Sequence, residues 1–194
     1  MISEKTIRVL ELDKILEKLA EHTSFAAGAD LAYDLNPSTS LEEAKVWQKE
    51  TTEVLLMFEN NTNINLNGVR DVRDISINAQ RGVLIDASVM LDIRTTLRRG
   101  TTLKRTIGRA KHQYPLMAEL LAEIEECPEL VDAIGNAIDD NAEVKDSASA
   151  KLAIIRRDMK IAFDRLQTKL NRIISSPNRA KYLQEAIITT RNGR

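Results

Sequence analysis

Apolar positions along this chain recur at steps of three and four over most of its length, the period of a helix with one buried face. The longest such pattern runs from Ser147 to Ser176. Its stripe is Leu152, Ile155, Met159, Phe163, Leu166, Leu170 and Ile173, with Lys, Arg and Asp on the other faces and no Gly or Pro before Pro177. A helix of this length spans about 45 Å, whereas a compact domain of this size is about 35 Å across. The pattern therefore predicts an arm that protrudes or packs only part of its length. The outer positions Leu166, Leu170, Ile173 and Ile174 are expected to be exposed.

The preceding segments carry shorter versions of the pattern. Thr6 to His22 reads as a first helix, with Val9, Leu12, Ile15, Leu16 and Leu19 on one side. Thr23 or Ser24 is placed to cap a second helix through Leu35, which Pro37 closes. Ser40 stands three residues before Glu43, a capping-box spacing, and opens a helix to about Glu59. Its inward set is expected to be Ala44, Trp47, Thr51, Val54, Leu55 and Phe58, with Trp47 read as core in preference to a stacking platform. Asn60 to Gly68 is polar and reads as a surface loop. Asp71 to Gln80 is a short helix ended by Gly82, and Asp86 caps the next, which carries Val89, Met90, Ile93 and Leu97. Gly100 and Gly108 leave open whether it continues to Lys111.

Helices are predicted from Pro115 to Glu126 and, with Pro128 at the first helical position, to Ile138. Asp139 to Asp146 is acidic and irregular, and Ser147 or Asp146 is the expected cap of the arm. Arg179 to Glu185 reads as further helical turns, and Ala186 to Arg191 has the β-branched content of a strand. With seven Gly, four Pro and 4% aromatic residues, the composition agrees with an all-α chain. The expected architecture is a helical core domain, a long protruding helix and a short terminal strand.

Net charge is −1, but it comes in blocks. Arg94 to Ala118 holds seven Lys or Arg and no acid; Glu119 to Asp146 holds ten acids and one Lys; Lys151 to Lys181 holds nine Lys or Arg and two Asp. One reading is two positive faces for nucleic-acid phosphates, with Arg98, Arg99, Lys104 and Arg105 as candidate contacts. The other is internal pairing of the acidic segments with the basic ones. Pairing is favoured because the total cancels and each basic block holds a single aromatic, Tyr114 or Phe163, too few for a base-stacking platform.

Enzyme chemistry is missing from the pattern. There is no GxxxxGK[ST] phosphate loop and no GxSxG elbow. His22, His112 and Cys127 do not stand at zinc-ligand spacing, and both histidines read as solvated helix-end residues. Adjacent carboxylates such as Glu42-Glu43, Glu125-Glu126 and Asp139-Asp140 point apart on a helix. No catalytic, cofactor-binding or metal-ligating residue is assigned. A single Cys suits a reducing compartment, no apolar run is long enough for a membrane span, and Met1-Ile-Ser-Glu-Lys5 precedes no signal-peptide core. A cytoplasmic protein without a membrane partner is expected.

Several stretches together resemble the N-terminal part of the MutS family, most closely its bacterial MutS-two branch. Thr6-Ile-Arg-Val-Leu-Glu-Leu-Asp-Lys-Ile-Leu16 is similar to that branch's opening, which begins directly with the core domain. Thr23, Gly28, Leu31, Leu35 and Pro37 match a spaced family pattern. Leu66-Asn-Gly-Val-Arg-Asp-Val-Arg73 resembles "L-G-G-[IV]-R-D-[IV]-R". Ala137-Ile-Asp139, Glu143-Val144, Asp146, Ala148-Ser149, Leu152 and Ile155-Arg156 look like the entry into the family's lever helix. Tyr182 to Arg194 resembles the passage from helix to the clamp's first strand. One departure is Ala142, where the family usually has Gly, and a slightly different turn is expected there.

The resemblance implies roles that periodicity does not. Residues 1–126 would be the first half of a core domain, 127–176 a connecting helix and outgoing lever, and 177–194 the start of a clamp segment. The chain would be the N-terminal part of a longer protein whose missing domains bind ATP and Mg and include a Small-MutS-related nuclease domain. That longer protein would be a homodimeric ATPase and endonuclease acting on double-stranded DNA or ribosomes, in recombination control or ribosome rescue. The fragment itself would be no enzyme and hold no cofactor, and its outer arm would either pair with the same arm of another molecule or be covered by its own C-terminal tail from Ala180 to Ile188. The alternative is a stand-alone helical adaptor that binds a partner through a coiled-coil arm. Either way the circular-dichroism spectrum is expected to be dominated by helix; a strand-dominated spectrum would overturn this.

Overall fold

Sequence segments poor in Gly and rich in Leu, Ala, Glu and Lys become helices in the computed structural model, which describes residues 4–62, 64–176 and 188. Among these are α1 (Glu4–Val9), α2 (Leu12–Glu21), α3 (Ala26–Tyr33), α4 (Leu41–Glu59), α5 (Arg73–Gln80), α6 (Ala87–Arg109), α7 (Pro115–Ala122), α8 (Pro128–Ala137) and α9 (Ala150–Ile174), and no strand. The chain is all-α. It divides into two compact units, Met1–Glu143 and Val144–Arg194. The strand expected after Ala186 and the turns from Arg179 to Glu185 lie outside the described residues, except for Ile188, which is in neither helix nor strand.

In the first unit α2 packs against α1 and α3, α7 against α4 and α6, and α8 against α6. The core is Met57 of α4, Ile107 of α6, and Tyr114 and Met117 at the start of α7, with Val54, Ile64, Leu103, Ala110, Ala118 and Leu121 packed around them. Polar groups inside this core are matched. The Tyr114 hydroxyl sits 2.9 Å from Asn60 Nδ2, which donates to it, and 3.1 Å from Thr62 Oγ1, so the polar loop after α4 is tied to α7.

The buried Glu53 of α4 caps α7. Its carboxylate accepts from the backbone N–H of Leu116 at 3.2 Å and of Met117 at 2.9 Å. These are orphan donors of a first turn that has no cap of its own beside Pro115. At the other end Lys104 of α6 donates to the carbonyls of Ala122 at 3.0 Å and Ile124 at 2.7 Å. An anion at the N-terminus and a cation at the C-terminus both suit the helix dipole. The diversion of those carbonyls ends α7 at Ala122, four residues short of the Glu126 expected from sequence.

Glu53 also explains why the inward face of α4 is not the one expected. Glu53 and Met57 are buried and Val54 half-buried, while Trp47, Leu55 and Phe58 are exposed. At 3.6 residues per turn Glu53 lies about 120° around the helix from Trp47. Trp47 is therefore not core. It lines an open groove of about 650 Å³ with Leu12, Leu16, Leu35, Pro37 and Thr51.

Other boundaries shift for local reasons. The expected first helix is broken at Glu11, whose left-handed backbone (φ 51°) separates α1 from α2. Thr23 does not cap α3. Its hydroxyl donates to Ala20 O at 2.7 Å, closing α2, and Phe25 takes the N-cap position without a side-chain bond. Ser40 does cap α4, accepting from Glu43 N–H at 3.4 Å. The reciprocal half of the capping box runs through Ser38, which accepts from Ser40 N–H at 3.0 Å and donates to the Glu43 carboxylate. α6 crosses Gly100 unbroken and ends at Arg109.

In the second unit a 3₁₀ turn, Asp146–Ala148, precedes α9. The cap is Ser149, accepting from Leu152 N–H at 3.3 Å, and neither Ser147 nor Asp146 takes that role. Asp146 receives Arg156 Nη1, which also donates to Val144 O at 2.7 Å. The stripe on α9 is uncovered along its middle, with Met159 67%, Phe163 55% and Leu166 51% exposed. Leu170, Ile173 and Ile174, expected to be exposed, are half-buried.

Two substitutions test this account. Glu53→Ala strands two donors at a buried helix start and is expected to destabilise by on the order of 2–4 kcal/mol, with Glu53→Gln milder, in denaturant melts. Ala142 adopts a left-handed backbone (φ 63°), the conformation that glycine favours. Ala142→Gly is expected to stabilise by roughly 0.5–1 kcal/mol, since relief of left-handed strain exceeds the entropy glycine adds to the unfolded chain.

Candidate nucleic-acid interface

The basic block on α6 meets the acidic block after it, and the two reduce each other's charge unevenly. Of the four candidate phosphate contacts, Lys104 is held by the two carbonyls at the end of α7 and Arg105 pairs with Glu126 at 2.6 Å. Internal pairing thus accounts for these two. Arg98 and Arg99 have no ion pair among the described residues. They line a groove of about 400 Å³ with Leu91, Arg94, Thr95 and Thr102, all at helical spacing on one face of α6, and with Asp140.

Arg94 joins this pair, although the sequence alone did not single it out. Its side chain is only 24% exposed, and Nη1 stands 3.6 Å from a carboxylate oxygen of Asp140, itself 98% exposed. The guanidinium lies against α8 at Gly135, where an added Cβ would come within 3.3 Å of Nε, Cζ and Nη2. Its Nε is buried without a hydrogen-bond partner. Position 94 opens the acid-free run, which was the available signal; the seat on Gly135 depends on helix packing and left none.

The loop Leu66 to Arg73 docks beside this groove. Gly68 has φ 80°, and a Cβ there would meet the Thr95 methyl at 3.2 Å. The Arg70 N–H donates to Thr96 Oγ1 at 3.0 Å. Arg73 grips Asp71 through Nε at 2.9 Å and reaches Asp30 of α3 at 2.8 Å. These bonds hold the Asp71 carboxyl below its ordinary range, the Arg73 side-chain bond first among the causes, and raise Arg73 further. Gly68, Arg70, Asp71 and Arg73 of this motif thus take part in loop geometry and docking.

Comparison with known proteins agrees with the motifs. The chain is 35% identical over 196 residues to Endonuclease MutS2 of Geobacillus thermodenitrificans, covering 100% of this chain and 25% of that protein. This sequence is a homologue of the MutS2 N-terminal region. It is 34% identical to Endonuclease MutS2 of Halalkalibacterium halodurans (98% of this chain, 25% of that one). Against Endonuclease MutS2 of Symbiobacterium thermophilum it is 35% identical (100% and 24%). The chain therefore spans about a quarter of the length of the curated MutS2 relatives it matches. No family model matches. No helix among the described residues is long and apolar enough to cross a membrane.

The Asp71–Arg73 grip carries a pH dependence. A carboxyl lowered in the folded state contributes stability above its unfolded pKa of about 3.9, lost as pH falls through the folded value. Amide exchange at Arg70 is expected to speed up below about pH 4, relative to the global opening, and Asp71→Asn to remove that step.

Proposed function

We propose that this chain is the N-terminal scaffold of a MutS2-type protein. Residues 1–126 form the first half of its core domain, 127–176 the connecting helix and outgoing lever, and 177–194 the start of the clamp. The observation that carries this reading is the match of the whole chain to the N-terminal quarter of proteins named Endonuclease MutS2. In the longer protein ATP and Mg bind elsewhere, and the resulting movement passes along α9 to a clamp on nucleic acid. Recombination control on double-stranded DNA or ribosome rescue, by a cytoplasmic homodimer, is the setting. The fragment itself carries no ATPase or nuclease activity.

The apolar faces support an incomplete domain. Leu31, Leu41, Leu55, Phe58 and Leu84 are exposed in the first unit, beside a core whose large fully buried side chains are Met57, Ile107 and Tyr114. Covering one Leu or Ile is worth roughly 1.5–3 kcal/mol, so such faces favour a further polypeptide. On α9 the stripe from Ile155 to Leu166 takes a returning helix in the longer protein, and a second copy when the fragment is alone.

The reading frame beyond Arg194 is the direct test: a phosphate-binding loop of GxxxxGK[ST] type is expected downstream, and an immediate stop would overturn the proposal. For the arm, Phe163→Lys with Leu166→Lys is expected to abolish self-association in sedimentation while moving stability by less than about 0.5 kcal/mol, as for exposed sites. Global unfolding by this pair would make α9 a core helix and the lever reading wrong.

A further inference from the structure

The groove on α6 is lined by more positive than negative side chains. Three arginines, Arg94, Arg98 and Arg99, line it against one acid, Asp140. That acid is almost fully exposed and 3.6 Å away, so water screens it. Arg94 and Arg98 are four residues apart on one helix, a spacing at which like charges oppose each other. Arg94 is also fixed in place, its guanidinium seated on Gly135 and its buried Nε without a partner. A planar fork already held still loses little freedom on taking an oxyanion.

We propose that this groove binds the phosphate groups of a nucleic-acid backbone. Arg94 is the fixed anchor, Arg98 and Arg99 swing onto the oxygens, and the Thr95 hydroxyl lies on the same face. From Arg94 to Thr102 the helix rises about 12 Å, room for more than one phosphate of a strand with one charge per roughly 3.4 Å. That length favours a polymer over a single phosphate. The lining has no aromatic side chain to stack on a base, so binding is independent of sequence. The proposal rests on the groove's own chemistry and can fail while the scaffold reading stands.

The test is fluorescence anisotropy of the full 194-residue chain with a labelled DNA duplex and a labelled RNA hairpin across a salt series. Arg98→Ala with Arg99→Ala is expected to weaken binding about tenfold or more at low salt and to reduce the log–log salt slope by about 2, one counterion per contact. Gly135→Ala, whose Cβ would stand 3.3 Å from the Arg94 guanidinium and shift it by a few tenths of an ångström, is expected to weaken binding with folding unchanged by circular dichroism. Lys18→Ala with Lys49→Ala removes the same charge from exposed positions elsewhere and is expected to leave binding within about twofold. Native-like binding by the Arg98/Arg99 variant, or an equal loss in the lysine variant, would overturn the proposal. So would saturable binding of inorganic phosphate without binding of either polymer.

Discussion

The first unit depends on a short helix capped at both ends by other helices. α7 is eight residues long and begins at a proline, so it has neither the length nor a local cap to persist alone. Glu53 of α4 satisfies its first amides and Lys104 of α6 its last carbonyls. The same helix carries Met117 into the core beside Tyr114, whose hydroxyl ties down the loop after α4. Burying a charged carboxylate is costly unless it is fully hydrogen-bonded, so this geometry tolerates little displacement. It sets the rotation of α4, and with it which apolar side chains of that helix remain outside.

The charge blocks follow from the same packing. The acidic segment after α7 lies where α6 can reach it, and Arg105 and Arg94 pair with Glu126 and Asp140. At the end of that segment Asp146 serves Arg156 at the entry to α9. The pairing leaves an arginine-lined groove on one face of α6. A near-zero net charge therefore conceals an uneven surface.

Among the described residues, apolar and open faces include the groove around Trp47 and the middle of α9. Homology to one quarter of the MutS2 length fits a chain that carries such surfaces. Helical periodicity marks a face as apolar without saying whether its cover lies within the same segment.

Much was legible in the sequence because it is local. The all-α class, the loop before Gly68, the Ser40 cap, the proline starts of α7 and α8 and the family resemblance rest on neighbouring residues and helical spacing. The entry to α9 was legible as a motif, and Asp139, Asp146, Ser149 and Arg156 do bond there, but which serine caps was a matter of two residues. Tertiary structure alone decided that Glu53 is buried and Trp47 exposed, that α7 stops at Ala122, and that Lys104 is engaged while Arg94 lines a groove. Each of these hangs on a partner from 18 to 64 residues away in the case of the α7 caps. A hydrogen bond or ion pair across helices leaves no periodic trace in either strand of sequence, because it constrains two positions and not their neighbours.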